Sequence, residues 1–112
     1  MTARVFLGNA FSLQMLSVDE SHDIHTFPMT IGSVREIHRD GVPIISAVGH
    51  IDTARVVSDM LGFEVPAQRI NVSLEPGDML VVAQVIGGRL PEGATTLPDG
   101  FQIRFVGVQV KS

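Results

Sequence analysis

The sequence predicts an α+β domain, because most of its segments carry the apolar pattern of β-strands and two short segments read as helical. The 112 residues are enough for a single domain spanning 1–112, and no internal repeat or linker interrupts them. An apolar content of 45% and a charged content of 18% are typical of a folded globular chain.

The amino-terminal region predicts a strand followed by a short helical turn. Residues 4–7 (Arg-Val-Phe-Leu) predict a short strand, which Gly8-Asn9 ends. Residues 10–16 have apolar positions compatible with a helical turn, which Asn9 would cap. Ser12 is the second polar group of this corner, and capping is the commoner use of both side chains.

A polar, acidic stretch at 17–21 predicts a loop, and three histidines lie in or beyond it. His22, His25 and His38, with Asp23 nearby, invite comparison with a metal site. Their spacing is not diagnostic without further ligands. Solvated surface histidines are therefore the favoured interpretation.

The next two segments predict a β-hairpin. Residues 30–38 read as a strand, Asp40-Gly41 is a strong hairpin-turn signal, and 42–48 would pair back against the first strand. Pro43, near the start of the second strand, favours an edge position.

A helix is predicted directly after this strand. Ile51, Ala54, Val57 and Leu61 follow one face of a 3.6-residue period. Gly62 supplies a left-handed end to the helix.

The corner between strand and helix places His50 where an anion is welcome. Asp52 or Thr53 would cap the helix, which leaves the imidazole beside the positive end of the helix dipole. Free N–H groups at a helix start favour phosphate. The alternative is a histidine at an element boundary that satisfies a backbone carbonyl.

The carboxy-terminal half predicts three strands. Residues 69–74 alternate polar and apolar as a half-buried strand does, and 75–78 form a turn. Residues 79–86 are nearly all apolar, which predicts a central strand covered on both faces. The final strand spans 101–110, and Gly107 interrupts its alternation as a bulge would.

Polar groups on and after the central strand suggest a ligand site. Gln84 is the one amide in that strand and needs a partner, either within the fold or at a cleft. The glycines of Gly87-Gly88 allow close approach of the backbone to a ligand, and Arg89 offers a planar fork suited to phosphate. Glu92 is spaced to orient that arginine. The alternative is an ordinary glycine loop with a surface ion pair.

Composition excludes several classes of protein. No cysteine is present, so disulfides, thiolate metal sites and cysteine nucleophiles are excluded, which fits a reducing cytosol. No apolar run reaches the length of a membrane span, and the first ten residues lack a signal-peptide pattern. A net charge of −4 without a basic cluster argues against duplex DNA as a partner.

The remaining polar groups form a set that cleaves RNA without a metal. In such a reaction the ribose 2′-hydroxyl attacks its own phosphate, an arginine stabilises the developing charge and a histidine protonates the leaving oxygen. No Gly-x-Ser-x-Gly elbow, phosphate-binding Walker loop or zinc signature offers another chemistry.

At this point the chain resembles the viral type III anti-CRISPR ring nucleases and their cellular and prophage Crn-type homologues. The resemblance runs from about Arg4 to Gly93, and the matching blocks occur in the order and near the spacing of that family. No single block is specific, and their combination carries the resemblance. The blocks are Asn9 to Leu16, Ala47 to His50 with Thr53, Gln68 to Ile70, and Arg89 to Gly93.

The resemblance implies a small mixed sheet of about five or six strands flanked by short helices, in a two-fold homodimer. It implies that cyclic tetraadenylate, the second messenger of type III CRISPR defence, lies across the dimer interface. The ring is split without cofactor or metal to linear diadenylates with a 2′,3′-cyclic phosphate, which dampens CRISPR signalling. The expected location is the cytoplasm of a prokaryotic or virus-infected cell, with no membrane partner.

The resemblance also assigns roles to individual residues. His50 matches the general acid, Arg89 the arginine at the scissile phosphate, and Glu92 the acid that orients it. Positions matching ligand contacts are Asn9, Ser12, Thr53, Arg69 and Gln84.

Two other functions remain open from the sequence. The first is a module that binds or sequesters a cyclic oligoadenylate without cutting it. The second is a dimeric DNA-binding or structural protein, which the acidic charge balance disfavours.

Overall fold

The computed structural model describes residues 3–111 and contains one five-stranded sheet with two α-helices. The elements in chain order are β1 (Val5–Gly8), a 3-10 turn (Leu13–Met15), β2 (Ile24–Met29), α1 (Ile31–Arg39), β3 (Ile44–Ala47), α2 (Ile51–Leu61), β4 (Met79–Ile86) and β5 (Gln102–Val110). The predicted α+β class is confirmed.

The sheet is mixed, with the strand order β2-β5-β4-β1-β3. β1 pairs in parallel with both β3 and β4, whereas β5 runs antiparallel to β4 and β2 antiparallel to β5. The carboxyl ends of β1, β3 and β4 therefore lie at the same end of the sheet. Ligands bind at this end in open sheets built from parallel strands.

Both helices cover the same face of the sheet. One core cluster joins Leu7 of β1 and Val81 of β4 to Val34 of α1 and Val57 of α2. Each of these four side chains is fully buried. Two short amphipathic helices are enough to cover one face because the sheet is small.

Loop residues cover the opposite face. A second cluster places Phe6 and Leu80 of the sheet against Val72 and Leu74, with Met15 of the 3-10 turn packed at its border. β4 contributes to both clusters, which confirms the prediction of a central strand buried on its two faces.

The predicted strand at 30–38 and its hairpin are wrong, because these residues form α1. Thr30 accepts a hydrogen bond from the Ser33 N–H at 3.0 Å, while the Ser33 hydroxyl accepts one from the Thr30 N–H at 2.9 Å. This reciprocal capping fixes the start of the helix.

The Asp40-Gly41 pair ends α1 and does not form a hairpin turn. Gly41 has φ +80°, its N–H donates to His38 O at 3.0 Å, and the Val42 N–H donates to Ile37 O at 3.3 Å. This pattern is the Schellman motif, in which a left-handed glycine satisfies the last carbonyls of a helix. The chain then enters β3, which lies at a sheet edge and pairs with β1.

β2 was not expected, and its contact with β5 explains Gly107. The two strands pair in continuous register with Phe27 opposite Gly107, so the predicted bulge is absent from these strands. A Cβ at position 107 would overlap the Phe27 ring. Glycine therefore makes room for a cross-strand aromatic side chain.

Residues 69–74 lie outside the sheet and have no regular secondary structure, which corrects the strand predicted there. From position 71 the predicted alternation still matches burial, since Val72 and Leu74 are buried while Asn71 and Ser73 are exposed. Ile70 departs from it as an exposed apolar residue. The Leu74 N–H donates to Met15 O at 2.7 Å, which ties the segment to the 3-10 turn.

The cap predicted at Asn9 is also wrong. Ser12 caps the 3-10 turn by accepting from the Gln14 N–H at 3.3 Å. The helical turn is shorter than expected because only residues 13–15 adopt it.

An ion pair joins the start of β1 to the turn before β4. Asp78 is 3% exposed and accepts hydrogen bonds from the Arg4 N–H at 3.0 Å, the Arg4 Nη2 at 2.6 Å and the Glu75 N–H at 2.9 Å. Burial alone would raise the pKa of Asp78. The Arg4 side chain and the two backbone donors outweigh burial and hold this pKa below its usual value.

Within residues 3–111, neither α-helix has both the length and the apolar character that crossing a membrane requires.

Candidate functional site

Three loops meet at the carboxyl ends of the parallel strands β1, β3 and β4. The chain leaves β1 at Asn9, leaves β3 towards His50, and leaves β4 through glycines towards Arg89. Their side chains enclose a crevice because the three strands are neighbours in the sheet.

A cavity of about 280 Å³ occupies this crevice. Five of the eight residues assigned a role from the sequence line it together, although they come from three parts of the chain. The lining residues are Asn9, His50, Thr53, Ala83, Gln84, Val85, Gly88, Arg89 and Leu90.

Three polar side chains of the cavity are available to a ligand. His50, Gln84 and Arg89 are exposed. Among the hydrogen bonds that the structure shows for residues 3–111, none involves the side chain of these three residues. The Gln84 amide is therefore open to hydrogen bonds from solvent or a ligand in the crevice, and it has no partner inside the sheet among the described residues.

A second cavity of about 650 Å³ adjoins the first, and His50, Arg89 and Leu90 border both. Glu92 lies at this second cavity, together with Arg55. Within the described chain no ion pair joins Arg89 to Glu92, so the two side chains share a cavity without the direct pairing that the sequence suggested.

His50 is held at the start of α2 by the backbone. It is the N-cap residue, and its carbonyl accepts from the Ala54 N–H at 3.0 Å, but its side chain makes no capping hydrogen bond. The expectation that Asp52 or Thr53 caps the helix is wrong, because both are buried within the first helical turn. His50 thus lies at the positive end of the helix dipole, and its side chain accepts no hydrogen bond from the first N–H groups of α2.

Arg69 reaches the same corner from the segment after α2. Its Nε donates to Gly49 O at 3.1 Å, and a Cβ at Gly49 would lie only 3.1 Å from the Arg69 Cγ. Arg69 does not line the cavity, but its guanidinium is held next to the residue that precedes His50. Glycine at position 49 allows this packing.

The two glycines after β4 have different purposes. Gly87 has φ +118°, and a Cβ there would lie 2.8 Å from Gly100 O, so this glycine permits close approach to its own chain and not to a ligand. Gly88 has φ +125° with open space around it and lines the cavity. Together they turn the chain so that Arg89 faces the crevice.

Asp52 is a contributor to the site that sequence reasoning missed. Its carboxylate accepts from the Gly93 N–H at 3.2 Å and so joins α2 to the segment that carries Arg89 and Glu92. An acidic residue in a first helical turn has many uses, and nothing in the sequence pointed to position 93 as the partner.

Ser12, like Arg69, is a predicted ligand contact that does not line the cavity, and it lies on a different element. Its hydroxyl caps the 3-10 turn, and it lines neither cavity. Across residues 3–111 there is no group of three or more histidine, aspartate or glutamate side chains suited to hold a metal ion.

Fold and site together define a small α+β protein with a polar crevice, bordered by His50 and Arg89, at the carboxyl ends of parallel strands. Residues 5–103 match the family described as STIV B116-like, and the chain belongs to that family. Its fold resembles that of B116 of Sulfolobus turreted icosahedral virus with a TM-score of 0.77, at 28% identity, over 96% of this chain and 99% of the other.

A curated relative comes from a second archaeal virus. "Uncharacterized protein 26" of Sulfolobus islandicus filamentous virus (isolate Iceland/Hveragerdi) is 33% identical over 78 residues. The match covers 70% of this chain and 64% of the relative, so it spans less than two thirds of that protein.

Proposed function

We propose that the protein is a metal-independent ring nuclease that cleaves cyclic tetraadenylate and thereby dampens type III CRISPR signalling. The observation that carries the proposal is that His50 and Arg89 line one cavity together and that both also line the adjoining cavity, which Glu92 borders. These are the three residues to which the resemblance to ring nucleases gives catalytic roles.

The proposed reaction is an internal transesterification. The 2′-hydroxyl oxygen of one ribose attacks the neighbouring phosphorus, the bond from phosphorus to O5′ breaks, and a 2′,3′-cyclic phosphate forms. Protonated His50 donates its proton to the leaving O5′, and the proton of the 2′-hydroxyl passes to solvent. Arg89 neutralises charge that builds on the phosphate oxygens.

The other crevice residues bind and orient the ring. Asn9, Thr53 and Gln84 offer hydrogen bonds to ribose and base from three sides of the cavity. Arg69, whose side chain is held beside Gly49, adds positive charge near the phosphate groups of the bound ring. In the complex, Glu92 would accept a hydrogen bond from one edge of the Arg89 guanidinium and leave its other edge free to bind the phosphate.

The symmetry of the substrate supports a homodimer as the working unit. Cyclic tetraadenylate is larger than the 280 Å³ cavity and has two-fold symmetry. A ring of this symmetry suits an interface between two identical protomers. Two copies around a two-fold axis would enclose the whole ring and supply every catalytic group twice. Two cuts on opposite sides of the ring give two linear diadenylates.

The relatives give the proposal a biological setting. Both named relatives are proteins of Sulfolobus viruses. Destruction of a host alarm nucleotide is an activity from which a virus gains directly, and the cytoplasm of an infected cell is where that nucleotide occurs.

The decisive experiment is chromatography of cyclic oligoadenylates of several sizes after incubation with the protein in EDTA. We expect cyclic tetraadenylate to yield linear diadenylates with a cyclic phosphate. His50→Ala should lower the rate by about 10²–10⁴-fold while binding persists, since the group lost is a general acid. His25→Ala is the matched control, because His25 lies on β2 at the opposite sheet edge from β3.

An intact ring after incubation with the wild-type protein in EDTA, and equally in Mg²⁺ or Mn²⁺, would contradict the proposal. Tight binding of the ring by calorimetry without product would instead support sequestration. A salt-dependent mobility shift of duplex DNA would support the DNA-binding alternative.

A further inference from the structure

A buried carboxylate links the two halves of the crevice. Asp52 is the second residue of α2 and is 6% exposed. Its Oδ1 accepts from the Gly93 N–H at 3.2 Å, across 41 positions of sequence. His50 lies two residues before this carboxylate and Glu92 one residue before its partner, so the hydrogen bond connects the elements that carry them.

The partner of Asp52 belongs to a tight turn. The Ala94 N–H donates to Pro91 O at 3.1 Å, and Gly93 has φ +81°, which is the geometry of a type II turn with glycine at its third position. Such a turn uses the N–H of its fourth residue internally and leaves the N–H of its third residue for an outside acceptor. Asp52 provides that acceptor, which fixes the turn relative to α2.

We infer that Asp52 is a positioning residue, which holds the Arg89–Glu92 segment at the distance from His50 that cleavage needs. This inference rests on the proposed ring-nuclease function. Both Arg89 and Glu92 are exposed and lie on a glycine-rich segment, so the backbone around them has few other restraints. A displacement of about 1 Å in such a site lowers the rate by up to about 10²-fold.

The surroundings of Asp52 suit a structural acceptor better than a ligand contact. Asp52 borders the second cavity, but the residue is only 6% exposed. It directs an oxygen to a backbone donor and lies in the first turn of α2, where negative charge is favoured by the helix dipole.

Three variants test the inference through kinetics. Asp52→Ala removes the acceptor, and we expect kcat for cyclic tetraadenylate to fall about 10–100-fold while Kd for the ring changes less than about threefold. Asp52→Asn keeps an oxygen that accepts the same hydrogen bond, so its kcat should stay within about threefold of wild type. Asp59→Ala removes an exposed carboxylate from the same helix and should match wild type.

Amide hydrogen exchange tests the hydrogen bond without reference to activity. In the wild type, the Gly93 amide should exchange at least about tenfold more slowly than in Asp52→Ala, and Asp59→Ala should leave it unchanged. Equal exchange in wild type and Asp52→Ala would overturn the inference. So would an unchanged kcat in Asp52→Ala, or an equal loss in Asp52→Asn and Asp52→Ala.

The two proposals fail in different ways. If the wild type leaves the ring intact while its Gly93 amide is protected, the ring-nuclease function is wrong and the turn is still fixed by Asp52. If the wild type cleaves the ring while Gly93 is unprotected, the function stands and the positioning role is wrong.

Discussion

Polar residues contribute to this protein in two ways: exposed side chains line the crevice, and buried aspartates connect distant segments of the backbone. His50, Gln84 and Arg89 line the crevice as exposed side chains. Asp52 and Asp78 are both buried, and each accepts from backbone N–H groups far away in sequence. The two buried aspartates thus fit structural roles, whereas the exposed polar side chains without hydrogen-bond partners in the described chain are the candidates for chemistry.

At this scale we predict that Asp78→Asn destabilises the protein by about 2 kcal/mol at pH 7, since a charge-assisted set of hydrogen bonds is lost. The pKa of Asp78 is lowered from 3.8 in the folded state. Its contribution is therefore complete at pH values above the unfolded pKa and is lost as the pH falls through the folded pKa. Urea unfolding between pH 7 and pH 2 measures it.

The gap between wild type and Asp78→Asn should narrow as the pH falls below about 4. Asp99→Asn, an exposed turn position, is the control and should change stability by less than about 0.5 kcal/mol. Wild-type stability of Asp78→Asn at pH 7, or a gap that is constant down to pH 2, would contradict the assignment.

At the scale of elements, glycines with positive φ follow the ends of both helices and of β4. Gly41 closes α1 and Gly62 closes α2, each with a left-handed φ near 80°. Gly87 lets the end of β4 approach Gly100, which leads into β5. The loop that carries Arg89 therefore begins at a position where no other residue fits without strain.

We predict a measurable difference between alanine substitutions at the two glycines after β4. Gly88→Ala meets only backbone strain and should cost about 1–2 kcal/mol. Gly87→Ala meets the same strain and also the Gly100 carbonyl, so it should cost about 1–3 kcal/mol more. Urea denaturation of both variants measures the difference. Equal stabilities would mean that the contact between these loops is not tight.

At the scale of the whole molecule, parallel pairing of β1, β3 and β4 assembles the crevice, and a second copy is proposed to complete it. The His50 and Arg89 that share a cavity belong to the same protomer. Each protomer of a dimer would therefore carry a complete catalytic set, and the partner would serve to enclose the ring.

This arrangement predicts the behaviour of mixed dimers. The purified protein should have twice the monomer mass of 12.1 kDa by light scattering. A heterodimer of one His50→Ala and one Arg89→Ala protomer, isolated with two affinity tags, should stay inactive because neither cavity is complete. A heterodimer of wild type with His50→Ala should make one cut and release linear tetraadenylate.

Restored cleavage in the first heterodimer would show that the catalytic groups come from opposite protomers, contrary to the geometry of the cavity. A monomer in solution that also stays monomeric with the ring would contradict the two-fold arrangement.

Local signals in the sequence were enough to predict several elements. A long apolar run fixed β4 to the residue, and a helical period followed by glycine located α2. Both signals are carried by neighbouring residues, so they need no knowledge of the rest of the fold. His50 and Arg89 could be identified in the same way, because each follows one or two glycines at the end of a predicted strand.

Other features depended on contacts that only the tertiary structure supplies. Residues 30–41 fit either a strand with a hairpin or a helix with a glycine end, and packing of Val34 beneath the sheet decided for the helix. Asn9, His50 and Arg89 line one cavity because of the strand order. The proposed role of Asp52 depends on the Gly93 N–H, which lies 41 positions away in sequence. The sequence by itself determined which chemical groups the protein carries. Tertiary structure alone decided which of them meet, because long-range pairing brings together positions that no local pattern relates.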